Sequence, residues 1–349
     1  MDNLAHSFTS VIVGSALFPK QSTLNKKRLY ICSIIIANLP DIDFVLAIFG
    51  KEFYFFQHRG FTHSLLGIIL LIPISLILFN KIMEPGSKKN PLFKFTLSEK
   101  IAFIVTQLLF THFFLDYLTT YGTLFLYPFS WQRFSYPLMF IIDPLFWSIS
   151  GAGAIALFNF DLKTSRNYSL LSWSCLLGIL SLWLWENHAK NKAEGIYRSH
   201  MNTTGQEELW SYPGPLAPGH WLIAERFDDH KYKQGAVSFF PQENLVKFWH
   251  EPIPPLYAHN ACQENLSKQA TLKFDQFKNW GEHVVCRNHK RHEKQGCHCV
   301  SLKYSLIALN TFTYGSYWFS LDGTNSEFMP AEPFDKVMDY YQKFLPIPY

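Results

Sequence analysis

Most of the ionisable residues within or beside the apolar stretches of this chain are histidine or aspartate: His6, Asp41, Asp43, His58, His63, His112, Asp116 and Asp143. Charge is costly in apolar surroundings at membrane depth, so such residues mark function by default. Neutral imidazole and carboxylate are also the usual nitrogen and oxygen ligands of zinc and related divalent ions. The chemistry on offer is therefore metal binding, with hydrolysis or ion relay as its uses.

Spacing sharpens this. His112 and Asp116 are four residues apart in an apolar run, so a helix presents both on one face. Such a pair grips one metal ion, or one member orients the other. Asp41 and Asp43 flank Ile42 just after Pro40, where a helical hydrogen-bond ladder must break or begin. A break there lets both carboxylates converge. His58 and His63 sit in HRGFTHS, where Gly60 is expected to turn the chain sharply and bring two imidazoles together.

Each residue has a plainer reading. A lone histidine in a membrane helix is commonly an interhelical hydrogen-bond partner. Asp41 could simply start a helix. Arg59 could snorkel to the interface. Asp143, before Pro144, could only form a turn. The whole set, taken together, is what points to metal.

The elements that must position these residues are apolar. Hydrophobic residues make up 48% of the 349 positions and charged residues 17%, low for a soluble protein. The long apolar runs fall in the first roughly 190 residues, which points to a membrane domain over 1–188 and a separate domain over 189–349. Six segments are candidate spans: 8–18, 29–50, 64–83, 100–119, 138–160 and 168–186. The first is short of the ~20 residues that a span needs. The fold expected is an all-α polytopic membrane domain of about five or six apolar helices, followed by a smaller, mainly β extramembrane domain. The start, MDNLAHSFTS, lacks a basic stretch, so no cleavable signal peptide is expected. The net charge of +4 is small and dispersed and gives no reason to expect a nucleic-acid partner.

Basic residues cluster after the first segment, around the third gap and in the fifth gap. Positive loops face the cytoplasm. With six spans, that rule sends the second and fourth gaps and the C-terminal domain to the outer face. It also brings Asp41, Asp43, His58, His63, His112, Asp116, Asp143 and His6 toward that same face. If 8–18 only dips into the bilayer, His6 must reach the others from within it.

The stretches DNLAHSFTS, ANLPDIDF, HRGFTHSLLG, THFFLDYLTTYGT and YPFSWQRFSYPLMFIIDPLFW resemble the YdjM/YbcI family of bacterial inner-membrane, metal-dependent hydrolases. The resemblance covers roughly residues 1–190, and the NLPDID and HRGxTHS pair is its specific part. It implicates His6, Asp41, Asp43, His58, His63, His112 and Asp116 as metal ligands, with Asp143 a looser match. It implies a location in the inner membrane. It also implies a distant likeness to zinc-dependent phospholipase C, hence phosphoester hydrolysis, by analogy of fold and not by geometry.

The function expected is a membrane-bound metal-dependent hydrolase acting on a lipid or lipid-linked phosphoester at the headgroup level, with membrane lipids as its surroundings. The cofactor expected is a divalent metal, zinc or else manganese, as two or three ions that activate water and polarise phosphoryl oxygens. Asp41 or Asp43 is the expected general base, and Arg59 would balance phosphate charge. Two rivals use the same residues: a transporter or proton relay, and a scaffold with a structural metal. Relays string such residues along a path through the bilayer, and a closed structural site needs fewer ligands than seven.

After about residue 188 the texture changes. Residues 212–221 (YPGPLAPGHW) read as turns, and 221–227, 235–240 and 304–321 as half-buried strands, with terminal helices near 334–344. A second cluster comprises Cys286, His289, His292, Cys297, His298 and Cys299, in no standard zinc spacing. If this domain lies outside the cytoplasm, disulfides among Cys262, Cys286, Cys297 and Cys299 are the natural outcome, with metal or free thiols as alternatives. Cys32 and Cys175 lie in apolar segments and are expected simply to pack.

Overall fold

The computed structural model describes residues 1–85, 95–160, 162–201, 209–214, 218–228, 231–239, 245–249, 266–281, 284–291, 293–301 and 316–329. The chain divides into two compact units, Met1–His188 and Ala189–Tyr349.

The first unit is helical. Helix α1 (Asn3–Leu17) is capped by Asp2, whose carboxylate accepts the Leu4 and Ala5 N–H groups at 3.0 and 3.1 Å. The same carboxylate accepts the Trp147 indole N–H at 2.9 Å, which ties the start of α1 to a later helix. Helix α2 (Pro19–Ala37) kinks at Asn25 and gives way at Asn38 to a 3-10 segment, Leu39–Phe49, that begins with Pro40 in its first turn. That segment has two sides. Asp43 is buried, while Ile42, Phe44, Val45, Ile48 and Phe49 are exposed. Next come α3 (Lys51–Gln57), the short turn Phe61–His63 and α4 (Leu65–Met83).

Helix α5 (Leu97–Val105) opens with a reciprocal cap between Thr96 and Glu99. It runs on into a π-helical segment, Thr106–Phe113, and then α6 (Phe114–Tyr117), with helical backbone angles at both junctions. An irregular stretch then leads to α7 (Pro144–Asn159). Asp143 caps α7, accepting the Phe146 N–H at 2.7 Å, so its role is that of a helix start. The core of this unit holds Val11 and Ile12 of α1, Tyr30 and Ile36 of α2, Phe79 of α4 and Phe103 of α5.

Helix α8 (Ser165–Met201) is 37 residues long and reaches into the second unit. There Ala189, Ala193 and Tyr197, spaced by four, pack against Trp221, Ile223 and Val237. Strands β1 (Leu209–Pro213), β2 (His220–Asp228), β3 (Lys231–Ser238) and β4 (Leu245–Trp249) form one antiparallel sheet in sequence order. Helix α9 (Lys268–Gly281) precedes a second antiparallel sheet made of β5 (Val284–Arg291), β6 (Lys294–Ser301), β7 (Ser316–Ser320) and β8 (Ser326–Met329). Cys286 and Cys299 are directly opposed in the β5–β6 register and joined by a disulfide. Cys297 is buried on the same strand as Cys299. Cys262, His292, residues 304–315 and the expected helix at 334–344 lie outside the described residues.

The expectation of five or six spans is not met. Among the described residues, two helices are long and apolar enough to cross a bilayer, Leu65–Met83 and Ser165–Met201. A third span results if Asn25–Ala37 and Leu39–Phe49, bent by 46° at their break, act as one. The other apolar segments are short or interrupted. Helix α1 has 15 residues and α7 has 16, so at 1.5 Å per residue each is roughly 22–24 Å long, against ~30 Å of hydrocarbon. Much of α1 is buried by its neighbours, from Ala5 through Ala16. Its apolar character comes from core packing inside the unit, which a hydropathy reading cannot tell from contact with lipid.

Candidate metal centre

Local structure brings the two halves of the centre together. His112, in the π-helical segment, and Asp116, in α6, are both fully buried, with His112 Nε2 3.7 Å from Asp116 Oδ2. Two hydrogen bonds hold the π-helical segment against α1, and a third lies within it. Gln107 Nε2 donates to the Ser10 carbonyl (3.3 Å), Thr111 Oγ1 donates to the Gln107 carbonyl (2.6 Å), and the Thr111 carbonyl accepts from His6 Nδ1 (2.8 Å). A carbonyl can only accept, so His6 carries a proton on Nδ1, and its Nε2 lies 3.4 Å from Asp116 Oδ1. The His6 and His112 rings stack with centroids 4.1 Å apart.

The HRGFTH turn supplies the opposite wall. The backbone residue with a left-handed conformation is Arg59 (φ 56°), whereas Gly60 has φ −90°. Gly60 matters for another reason: a Cβ there would lie 2.5 Å from the Gln57 carbonyl oxygen. The strained turn is clamped from both sides. The Asp43 carboxylate accepts the Arg59 N–H (2.9 Å), the Arg59 carbonyl accepts the Leu124 N–H (3.0 Å), and Arg133 donates to the His58 carbonyl (3.0 Å). So held, the turn delivers His63 to the centre, with its Nε2 2.9 Å from His112 Nε2, 3.3 Å from Asp41 Oδ1 and 3.4 Å from Asp116 Oδ2. The Thr62 hydroxyl lies 3.0 Å from the other ring nitrogen of His63.

Five of the seven sequence-selected ligands thus gather in two overlapping groups able to hold a cation: His6, Asp41 and His112, and His63, His112 and Asp116. Within each group the ligand atoms lie within 4.8 Å of one another. His58 and Asp43 stand beside them. His58 Nδ1 is 3.1 Å from Asp43 Oδ1, and Asp43 Oδ2 is 3.7 Å from His63 Nδ1. Asp43 therefore props the turn and the rings, as carboxylates behind metal-bound histidines do. Asp143 is not part of the cluster; it caps α7.

Arg59 is buried at 3% exposure, which excludes snorkelling. Its guanidinium reaches Asp116 Oδ1 at 3.0 Å and the Thr119 hydroxyl at 3.1 Å, and it lies 5.2 Å from the Tyr121 ring centroid. The Met1 ammonium also contacts Asp116 Oδ1. Thr62, Thr111, Thr119, Tyr121 and Arg133 all shape this centre, and sequence reasoning missed them as site residues. Their types are common in any helical protein, and the one available signal was their place within the stretches HRGFTHSLLG, THFFLDYLTTYGT and YPFSWQRFSYPLMFIIDPLFW.

The donor set fits a divalent ion. Nitrogen and carboxylate oxygen converge in a water-poor site, and several of their buried atoms find no hydrogen-bond partner: His6 Nε2, His112 Nδ1, Asp41 Oδ2 and Asp116 Oδ2. Two ring nitrogens 2.9 Å apart, those of His63 and His112, share at most one proton and call for positive charge between them. The electrostatics of His63 agree. Burial disfavours its charged form, but hydrogen bonds to Asp116 and Asp41 outweigh this and raise its pKa to about 9. For His58, nearer the rim, burial prevails over Asp43 and the pKa is lowered.

Comparison with known proteins shows what the helical unit is similar to. YbcI, an inner membrane protein of Escherichia coli, is 28% identical over 188 residues, covering 52% of this chain and 95% of YbcI. The uncharacterized protein YfhP of Bacillus subtilis is 33% identical over 133 residues, covering 36% of each protein. No solved structure matches. The model of the YdjM inner membrane protein family matches residues 1–189, more than half of the chain and the whole of the helical unit that carries the centre. The chain belongs to the YdjM inner membrane protein family.

Proposed function

We propose that this protein is a membrane-bound, divalent-metal-dependent hydrolase of a lipid or lipid-linked phosphoester. One observation carries the reading: His6, Asp41, His63, His112 and Asp116, from four separate stretches of chain, meet with unpartnered ligand atoms in a buried, acid-rich centre. The overlap of the two groups at His112 suits more than one ion, and the nitrogen–oxygen ligand set suits zinc or manganese. When bound, a divalent ion supplies Lewis acidity to a phosphoryl oxygen and acidifies water.

The chain's own residues do the rest. Asp41, with 11% of its side chain exposed and one oxygen unpartnered, is the carboxylate placed to take a proton from water. Asp43 acts instead by holding the Arg59 turn. Arg59 offers the positive charge that a phosphate requires, and its Nε has no hydrogen-bond partner. The ligands gather in one place and are not strung along a path, which favours a site over a relay.

The exposed apolar residues of the 3-10 segment, which also carries Asp41, suit insertion among lipid chains. The chain crosses the inner membrane more than once, with the centre and the C-terminal unit on the outer face. Support for the placement of the C-terminal unit is the Cys286–Cys299 disulfide, a bond favoured outside the cytoplasm.

The test is metal content and activity of detergent-purified protein. Two or more equivalents of zinc or manganese, lost in both His63→Ala and Asp116→Ala together with hydrolysis of phosphoester lipids, support the proposal. Wild-type protein that binds no metal after reconstitution would overturn it.

A further inference from the structure

The helical unit contains an apolar cavity of about 440 Å³ between α1, the π-helical segment and α8, within the ~300–1,000 Å³ range of small-molecule sites. Its walls include Thr9, Val13 and Leu17 of α1, Phe110 of the π-helical segment, and Trp173 and Trp183 of α8. Two of these elements also carry ligands of the metal centre. On α1, His6 lies within about 20° of Val13 and Leu17 around the helix axis, at ~100° per residue, so the cavity continues the face that His6 begins.

The cavity has a direction. Ala5 belongs to the same apolar cluster as Ile179 and Leu182, whereas Leu171, Cys175 and Leu176 pack against the cluster that holds Val11 and Ile12. The two helices are therefore antiparallel along the cavity. Its His6 end lies toward Trp183, and its far end, at Leu17, toward Trp173. From Thr9 to Leu17 it runs roughly 12 Å at 1.5 Å per residue, along the part of α8 that is apolar enough to cross the membrane. Its polar groups are few: the Thr106 hydroxyl is satisfied by the Ala102 carbonyl at 2.7 Å, and the Thr9 hydroxyl and the Trp183 indole N–H are buried in the walls without a partner. The surface that the walls present is otherwise apolar, from Val13, Leu17, Phe110 and Leu177.

We propose that this cavity takes one hydrocarbon chain of the substrate lipid, whose phosphate lies at the metal centre; this rests on the hydrolase reading above. A lipid with its phosphate beside His6 and Arg59 has its tail at bilayer depth, in the direction that the cavity runs. The substrate class is then a phospholipid or other long-chain phosphoester, in preference to a water-soluble phosphate.

The test uses the full chain, loaded with zinc, in lipid nanodiscs. The probe is phosphatidic acid with a photoreactive diazirine near the end of one acyl chain, beside a diacylglycerol of identical tails. Peptide mass spectrometry reads the labelled positions. The expected result is labelling on residues 13–17 and 173–183, about tenfold stronger for phosphatidic acid, the effect of a charge-assisted contact at the headgroup. Leu177→Trp, which fills the cavity from its exposed side, should reduce that labelling severalfold and leave bound zinc unchanged.

Equal labelling by both probes, or labels spread over the outward-facing Leu70, Ile77 and Leu170 as for annular lipid only, overturns the proposal. Phosphate-dependent labelling of the cavity without turnover of any phosphoester would refute the hydrolase reading and leave lipid binding standing. Turnover of a short-chain ester without cavity labelling would do the reverse.

Discussion

His63 and His112 present their Nε2 atoms to each other at 2.9 Å, and the carboxylates of Asp41 and Asp116 lie within 3.7 Å of both. In a metal-free protein at most one proton can sit between the two rings. Arg59 and the Met1 ammonium answer Asp116, whereas among the described residues Asp41 has only these two imidazoles paired with it and requires more positive charge than their one shared proton supplies. Either imidazole should therefore be indispensable for metal. His112→Ala is expected to abolish binding of both ions, because His112 belongs to both ligand groups. His6→Ala should remove one ion and spare the other. Elemental analysis of the purified variants checks this, and equal losses in the two variants would contradict the two-group arrangement.

Asp43 should behave differently from Asp116. It supports the Arg59 backbone and faces His58 without belonging to either ligand group. Asp43→Asn is expected to weaken metal binding about 10- to 100-fold, the usual effect of removing a supporting carboxylate, whereas Asp116→Ala removes binding altogether. Competition with a chromogenic chelator separates the two behaviours.

Arg59 combines a left-handed backbone with a buried ion pair. Arg59→Ala leaves Asp116 short of a cation, and loss of one partner of a buried pair costs about 3–5 kcal/mol. Arg59→Gly loses the same guanidinium but relieves the backbone, which is worth roughly 1 kcal/mol. Thermal melting in detergent should therefore rank wild type above Gly and Gly above Ala. The order Ala above Gly would show that the positive φ carries no strain.

Gly67, in the first turn of α4, is expected to tolerate no side chain. A Cβ there would lie 1.9 Å from the Phe61 carbonyl oxygen, in the turn that ends at His63. Because the obstacle is backbone, Gly67→Ala must move that turn, with an overpacking cost of about 1–3 kcal/mol and a displaced His63. A lower melting temperature with reduced metal content is the expected result. Unchanged metal content would show that the turn yields elsewhere.

The Cys286–Cys299 bond closes a short loop, its cysteines 13 positions apart. Cys286→Ser should destabilise the C-terminal unit by roughly 3 kcal/mol. Non-reducing peptide mapping of protein from intact membranes should recover the 286–299 link. Recovery of both cysteines alkylated would place this unit in a reducing compartment and remove a support for the outer-face topology.

Much of the centre was legible from residue type. His112 and Asp116 were readable because a four-residue spacing fixes a shared helical face, and Asp41 and Asp43 because Pro40 marks a break in an apolar run. The role of the HRGFTHS turn was only half readable. Gly60 drew attention as the flexible residue, yet the left-handed conformation falls on Arg59. A loop bonded through Leu124 and Arg133 forces that conformation, and nothing in the neighbouring sequence reports it. The span count failed for a related reason: much of α1 is buried in the unit, and hydropathy cannot separate burial in protein from exposure to lipid, while α7, with Leu145, Ile155 and Phe158 exposed, is simply short.

The sequence by itself determined the ligand chemistry, the helical character of the first unit and the change to strands after it, because these follow from residue type and local periodicity. The tertiary structure decided which of the candidate ligands come close enough to hold a cation together. Five of the seven meet, Asp43 and His58 support them, and Asp143 serves a helix start. That division depends on contacts between residues far apart in the chain, such as His6 with Thr111 and Asp41 with His63. Packing sets such distances, and no local pattern encodes them.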